Sequence, residues 1–261
     1  MLTAADIFEA LTQGLPVPGR HIVVSAHPDD ETISFAGALP QIADVQIVQL
    51  TDAAPPCLDH ADRVAGRYRE RAEAVRVLGV TSPIIDCQIP GRQSWRQPHL
   101  LAAVARVHDV CIGADVVWTH PYEGGHIDHD SAAWIVQTAC AQCEASPARM
   151  EFASYHSHAG RRSTFGAFWP DPNVPHRAVS LGEESLALKT AAMGAYASQA
   201  HILKKFPTCH VEHYRVAPVY DFGKPSPPPY SRWDSRGYQP TTAMWRLSVA
   251  DAARQLREVA A

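Results

Sequence analysis

The sequence predicts an α/β fold: a Rossmann-like three-layer domain with a mostly parallel sheet. Short apolar runs at 21–26 (HIVVSA), 45–50 (VQIVQL) and 115–119 (DVVWT) read as buried strands. Stretches of helical pattern alternate with them, the order that a parallel sheet with crossover helices requires. Two clusters of His and acidic residues follow predicted strands directly, and such sheets bind ligands at the carboxyl ends of their strands.

Residues 4–13 form a short amphipathic helix closed by Gly14 and Pro16. Strand 21–26 runs into the turn His27-Pro28-Asp29-Asp30, and a helix over 31–43 follows, with Pro40 set to end it early. After the strand at 45–50 comes a long helix over 59–78, with Gly79 as its C-cap. A third short strand at 84–87, a helix at 98–111, the strand at 115–119, a helix at 128–144 and a strand at 152–155 complete the alternation. Residues 160–176, with aromatic, Pro and Gly residues, read as a loop, and 183–206 as one helix. Pro218, Pro225, Pro227, Pro228 and Pro229 exclude regular structure over 217–240, and a last helix spans 242–259. Tyr220, Phe222, Tyr230, Trp233 and Tyr238 need apolar surface to pack on, so this tail is expected to wrap over the core. No repeat or linker interrupts the chain. The expectation is one domain over 1–261, with a core at about 20–210 and an extension at about 211–261 packed on it.

Composition narrows the function. The 261 residues include 23 Lys+Arg against 27 Asp+Glu, a net charge of −4, so no nucleic-acid footprint is visible. No apolar run of about 18 residues exists and no signal peptide is evident, so neither membrane insertion nor secretion is expected. Six scattered cysteines fit buried thiols in a reduced, cytoplasmic chain; Cys140 and Cys143 have no second pair to complete a zinc site. A small-molecule partner is expected, and nothing in the sequence opposes a homo-oligomer.

The first cluster is His27-Pro28-Asp29-Asp30-Glu31. His27 and Asp30, three apart across a tight turn, can reach one cation, and Asp29 between them is left to act on water. Equally, three acids in a first helical turn complement the helix dipole. The second is His120-Pro121-Tyr122-Glu123-Gly124-Gly125-His126-Ile127-Asp128-His129-Asp130. His126 and His129 share a helical face, and Asp128 can orient an imidazole. A polar cap is the competing reading. Together, two such clusters at one sheet edge offer a mixed His/Asp set that suits Zn²⁺ and also accepts Fe²⁺.

Ala26-His27-Pro28-Asp29-Asp30-Glu31, followed much later by His126-Ile127-Asp128-His129, resembles the PIG-L/LmbE family of zinc-dependent N-deacetylases. Residues 67–79, an R-x-x-E helix ending in Leu-Gly, and 189–206, which carry Ser198-Gln199, extend the resemblance to about 20–210. It implies zinc bound by His27, Asp30 and His129, with Asp29 as general base. It implies His126, protonated, as the group that holds the oxyanion or protonates the leaving amine, Asp128 as an imidazole-orienting catalytic carboxylate, and Arg67 as a sugar contact. The implied reaction removes an N-acetyl group from an amino-sugar (GlcNAc-type) conjugate, giving acetate and a free amine.

Two loops depart from the family pattern. Thr51-Asp52-Ala53 lacks the glycine of Thr-x-Gly, and Ile89-Pro90-Gly91-Arg92-Gln93 lacks an acid. Residue 124 is Gly and offers no side chain to a substrate. Tyr155 is a candidate substrate contact, and His156 and His158 are candidates to line the same pocket, with loop packing as the plainer reading. Tyr196, Ser198 and Gln199 read as polar positions on a helix, and Lys204-Lys205 as its dipole-complementing end. The alternatives are an amidase acting on another N-acyl or thiol conjugate, a metal-dependent phosphoesterase, and a non-catalytic regulatory α/β domain. A single ligand set disfavours the two-metal phosphoesterase, and the regulatory reading leaves His27, His126 and His129 unused.

Overall fold

A computed structural model describes residues 2–54, 58–158, 162–206 and 210–260. In chain order the elements are α1 (Ala4–Gln13), β1 (Val17–Ser25), α2 (Asp30–Phe35), β2 (Ile42–Thr51), α3 (His60–Val77), β3 (Ile85–Ile89), α4 (Gln97–Cys111), β4 (Val116–Thr119) and α5 (Ile127–Ala141). They continue with β5 (Ala148–Phe152), β6 (Tyr155–His158), β7 (Arg162–Phe165), β8 (His176–Ser180), α6 (Glu183–Ala195), α7 (Ala200–Leu203), β9 (Val211–Val216), α8 (Arg232–Ser235) and α9 (Thr242–Ala260).

The main sheet has seven strands in the order β3-β2-β1-β4-β5-β9-β8. β1 to β5 are parallel, while β9 is antiparallel to both β5 and β8. β6 and β7 form a separate hairpin. The strand order runs one way from β1 to β3 and the other way from β4 to β5. The crevice between β1 and β4 is therefore a topological switch point, where ligands bind in open α/β sheets.

Strand residues alternate between two cores. One, including Val24, Val48 and Val117, lies under α4, α5 and α9. The other, including Val23, Ile47 and Trp118, lies under α1, α3 and α6. The Pro-rich tail belongs to the first core: Phe222, Trp233 and Trp245 are buried in it. Burial of a large apolar side chain contributes roughly 1.5–3 kcal/mol, so these anchors hold the tail down as core. Gln137 of α5 adds polar pins, accepting from Tyr220 N and donating to Tyr220 O at 2.9 Å each.

Several elements differ from the sequence expectation. The helix expected over 31–43 is α2, six residues long, then one 3-10 turn at Leu39–Gln41 with Pro40 inside it. Proline cannot supply the α-helical N–H, and the chain leaves the helix before reaching it. The helix expected over 183–206 is broken into α6, a 3-10 turn at Ala197–Gln199, and α7. At the break, Ser198 N and Oγ donate to the two carboxylate oxygens of Glu70 on α3, at 2.7 and 2.6 Å. The strand expected at 152–155 is instead the end of β5 and the start of β6, with Ala153-Ser154 between them. β7 lies inside the expected loop, and β9 carries the buried charged residues Glu212 and Arg215, which obscure its alternation.

Cys111 and Cys140 are buried and Cys87 and Cys143 half-buried, all as free thiols; Cys57 and Cys209 lie outside the described residues. No helix among the described residues is long and apolar enough to cross a membrane.

Candidate metal centre and active site

The carboxyl ends of β1 and β4 deliver the two clusters to one point. β1 ends at Ser25, and the turn after it places His27, Asp29 and Asp30 at the start of α2. β4 ends at Thr119, and the loop after it leads through Gly124-Gly125 to His126, the N-cap of α5. That loop needs glycine at 125: a Cβ there would lie 1.9 Å from the Tyr155 carbonyl oxygen.

His27 Nδ1 lies 3.1 Å from Asp30 Oδ2 and 3.2 Å from His129 Nε2, and His129 Nε2 lies 3.4 Å from Asp30 Oδ1. Three ligand atoms around one tetrahedral zinc, with bonds of about 2.0–2.1 Å, would be spaced by about 3.3 Å. The donor set therefore fits one metal ion. A second group, His27, His126 and Asp128, is also close enough to hold a metal. There, however, Asp128 is already engaged: it accepts from Ser94 Oγ, from Arg92 N at 2.9 Å, and faces His27 Nε2 at 3.0 Å.

The electrostatics follow from burial and close packing. Burial would lower the His27 pKa, but Asp30 and Asp128 on either side of the ring push it up to about 10. Without metal, a proton thus sits where these donors converge, and metal binding would displace it. Burial would raise the Asp30 carboxyl, yet His129, His120 and His27 hold it well below the usual range. Burial, with His120 stacked alongside, lowers His129 to about 3, so this imidazole is neutral and its nitrogen is open to coordination.

Asp29 is buried, and burial together with neighbouring Asp30 raises its pKa well above the usual range. Its backbone is at φ 139°, a region that L-residues rarely adopt. No hydrogen bond caps the helix through its side chain, so the carboxylate is free to face the pocket it lines. Behind it, Glu31 is fully buried and accepts from Tyr196 OH at 2.6 Å, while Asp29 N donates to Glu31 at 3.4 Å.

His126 Nδ1 accepts from Asp128 N at 3.1 Å, capping α5. The cap leaves the ring proton on Nε2. His126 is therefore a neutral donor, which amends the imidazolium implied by the resemblance, and burial with His27 nearby also lowers its pKa.

The cavity over the donors has a volume of about 290 Å³. Arg67, Tyr155 and Gln199 line it. The Tyr155 ring lies 5.0 Å from His129, with the Arg232 guanidinium 4.7 Å above it. His156 packs edge-on against Trp169 and is not in the cavity wall; the side chain of His158 lies outside the described residues. Ser198 serves α3 through Glu70 and does not line the cavity.

The glycine missing from Thr-x-Gly has a visible consequence, since Ala53 takes its place at φ 53°. Asp52 braces that loop to the next one, its Oδ1 accepting from Ala54 N at 2.8 Å and Gly91 N at 2.9 Å.

Residues not assigned from sequence complete the site. His120 is fully buried; its Nε2 accepts from Ala26 N at 3.1 Å and lies 3.3 Å from Asp30, and its ring stacks on His129. Its position at the end of a strand was the available signal. Ser94 and the Arg92 backbone hold Asp128. Arg232 and Tyr238 bring the tail into the cavity wall, and Trp233 packs edge-on against His126 at 4.6 Å.

Known proteins share this frame. The 1D-myo-inositol 2-acetamido-2-deoxy-alpha-D-glucopyranoside deacetylase of Mycobacterium leprae (strain Br4923) is 26% identical over 270 residues, covering 77% of this chain and 87% of its own. The crystal structure of the A40926 pseudoaglycone deacetylase Dbv21 superposes with a TM-score of 0.57 at 19% identity, over 76% of this chain and 96% of its own. GalB, the 4-carboxy-2-hydroxymuconate hydratase of Pseudomonas putida KT2440, superposes at 0.53 with 17% identity, over 77% and 98%. The fold alone thus hosts more than one reaction, and the site must select among them. Residues 22–140 match the family model PIG-L, GlcNAc-PI de-N-acetylase, a segment that holds every donor atom described above. Over that segment the chain is similar to the PIG-L family.

Proposed function

We propose that this chain is a metal-dependent hydrolase that removes the N-acetyl group from an amino-sugar conjugate of the GlcNAc type. The observation that carries the reading is the convergence of His27, Asp30 and His129 on one point, beside the unengaged Asp29 carboxylate, on the floor of a cavity of about 290 Å³. The deacetylase activities named for the relatives support it. No observation favours the amidase, phosphoesterase or regulatory readings over this one.

His27, Asp30 and His129 would hold the ion, zinc or ferrous iron. When bound, it supplies polarisation of the acetyl carbonyl and a lowered pKa for water. Asp29 takes the proton from the attacking water and returns it to the departing amine. His126 donates Nε2–H to the developing oxyanion. Asp128 fixes the His27 ring through its Nε2. Arg67 and Tyr155, in the cavity wall, contact the sugar. The two cores share one sheet and the tail completes one of them, which supports a single catalytic unit over the whole chain.

The test is acetate release from N-acetylglucosamine conjugates by protein reconstituted with zinc or iron. In Asp29→Asn, turnover is expected to fall about 10²–10⁴-fold with metal content unchanged. Near-normal turnover in that variant would remove Asp29 from its role, and no acetate from any conjugate would overturn the deacetylase reading.

A further inference from the structure

The loop after β4 contributes to two separate cavities. His126, at its α5 end, lines the metal cavity, whereas Tyr122 and Glu123 line a second one of about 250 Å³. Among the described residues the two linings have no member in common. The second cavity opens between the β7–β8 loop, which supplies Trp169 and Val174, and the Pro-rich tail, which supplies Pro218, Tyr220 and Pro225. A cavity of about 150 Å³ holds a benzene ring, so this one has room for a ring and a short chain.

Its walls are mainly aromatic and aliphatic, and its buried end is charged. Glu123 and Arg215 are both buried there. Arg215 commits Nε to Glu151 at 2.6 Å, and Nη2 to Glu123 Oε1 at 3.2 Å and Tyr220 OH at 2.9 Å. Glu123 Oε1 also accepts from Trp169 N at 2.9 Å, but Oε2 is buried and has no hydrogen-bond partner among the described residues. A buried carboxylate oxygen left unpaired is costly. Positive charge is short as well, since one guanidinium faces two buried carboxylates, and burial pushes the Glu123 carboxyl up to about 7. The mouth does not make up the difference. Exposed Lys224 pairs with Asp221 at 3.2 Å, and Asp171 adds a further acid to the wall.

The Trp169, Tyr122 and Tyr220 rings line the same space, and aromatic faces attract cations. Both tyrosine hydroxyls are already donating, Tyr122 OH to the Lys224 carbonyl and Tyr220 OH to Glu151, each at 2.8 Å. The tyrosines therefore offer rings, and Glu123 Oε2 offers the open acceptor. An occupant that satisfies both brings positive charge, an N–H donor and an apolar body.

We infer that this second cavity binds an organic ammonium, a primary amine in its charged form on an apolar stem, with an N–H donated to Glu123 Oε2 and the stem against the Trp169 and Tyr122 rings. The inference stands apart from the deacetylase reading, because it involves neither the metal nor the cavity above it.

The probes are phenethylammonium, its neutral counterpart 2-phenylethanol and its anionic counterpart 3-phenylpropionate. Each is titrated calorimetrically into zinc-loaded protein at pH 8, where Glu123 is mostly ionised. Phenethylammonium is expected to bind at least about ten-fold more tightly than either of the others. In Glu123→Gln, which keeps an acceptor for Arg215 and Trp169 N, that preference is expected to fall about ten-fold. Trp169→Ala keeps the backbone N–H to Glu123 and removes the ring; it is expected to weaken phenethylammonium about two- to thirty-fold. Asp29→Asn removes the carboxylate that an amine would seek in the metal cavity, and is expected to leave the affinity for phenethylammonium unchanged. Melting curves check that each variant is folded. Absence of phenethylammonium binding, or equal binding of 2-phenylethanol, overturns the inference. So does a preference that survives intact in Glu123→Gln, or one lost in Asp29→Asn, which would place the amine over the metal. Should Glu123→Gln fail to fold, Trp169→Ala decides, and unchanged affinity there overturns the inference.

Discussion

Asp128 Oδ2 lies 3.0 Å from Nε2 of His27, a residue 101 positions earlier in the chain. This contact joins the two short motifs across the switch point and sets the tautomer of a proposed ligand. With Nε2 turned to the carboxylate, Nδ1 is the nitrogen left facing Asp30 and His129. Carboxylate partners of ligating histidines raise their basicity and fix their rings. Asp128→Asn keeps the shape and removes the charge. Its zinc affinity is expected to fall about 10–100-fold, read by competition with a chromogenic chelator. Unchanged affinity would mean that Asp128 serves only to hold Arg92 N and Ser94.

Tyr196 and Glu31 form a second pairing behind the site. Glu31 is fully buried, burial raises its pKa, and Tyr196 OH is its closest donor at 2.6 Å. The same carboxylate faces the backbone N–H of Asp29, whose φ of 139° must be held by its surroundings. Tyr196→Phe removes the shortest donor to a buried carboxylate and leaves it only Thr32 Oγ1 at 3.2 Å and Ser25 Oγ and Asp29 N at 3.4 Å, at an expected cost of about 1–3 kcal/mol, measured by urea denaturation. A midpoint equal to wild type would show that the remaining donors satisfy Glu31 without Tyr196.

The positions of the elements that build the site were legible in the sequence because they repeat a simple pattern: an apolar run, a polar turn, a helix. β1, β4 and α5 follow it, and so the convergence of His27, Asp30, His126 and His129 was legible before any coordinates. What was not legible depends on contacts between distant segments. The break at 197–199 exists because Glu70 on α3 takes the Ser198 N–H, and no local periodicity reports that. β9 carries two buried charges whose partners lie on other elements: Glu212 meets Lys189, and Arg215 meets Glu123 and Glu151. Its alternation therefore reads as polar. His120 had a visible place at a strand end, but its role came only with the stacking on His129. Arg232 and Tyr238 sit in a Pro-rich tail with no regular pattern, and their place in the cavity wall is a purely tertiary result.

Gly125 sets the approach of the His126 loop to the β6–β7 hairpin. A methyl group there would sit 1.9 Å from the carbonyl oxygen of Tyr155, against backbone that cannot swing away as a side chain can. Gly125→Ala is therefore expected to destabilise the fold by a few kcal/mol, of the order of other overpacking changes of about 1–3 kcal/mol or more, and to lower metal occupancy by displacing the loop. Calorimetric melting together with metal analysis reads both. The contrast is Gly194→Ala inside α6, where the added Cβ meets nothing within 4 Å and no loss is expected.

Glu123 and Glu151 share one guanidinium. Arg215 donates Nε to Glu151 at 2.6 Å and Nη2 to Glu123 at 3.2 Å, and all three side chains are buried. One cation cannot balance two carboxylates, so burial pushes both carboxyls up to about 7, and Arg215 only partly opposes it. The folded state then binds protons more tightly than the unfolded chain, whose glutamates titrate near 4.5. The stability from this protonation is fully present below about pH 4.5 and is lost as the pH rises through about 7. Glu123→Gln keeps an acceptor for Trp169 N and Arg215 while removing one of the competing charges. At pH 8 the variant is expected to be more stable than wild type by about 1–2 kcal/mol, and at pH 5 the difference is expected to vanish. Because other groups titrate in both proteins, the difference between their melting curves across pH isolates this cluster. A constant difference from pH 5 to 8 would mean that Arg215 holds both glutamates ionised throughout.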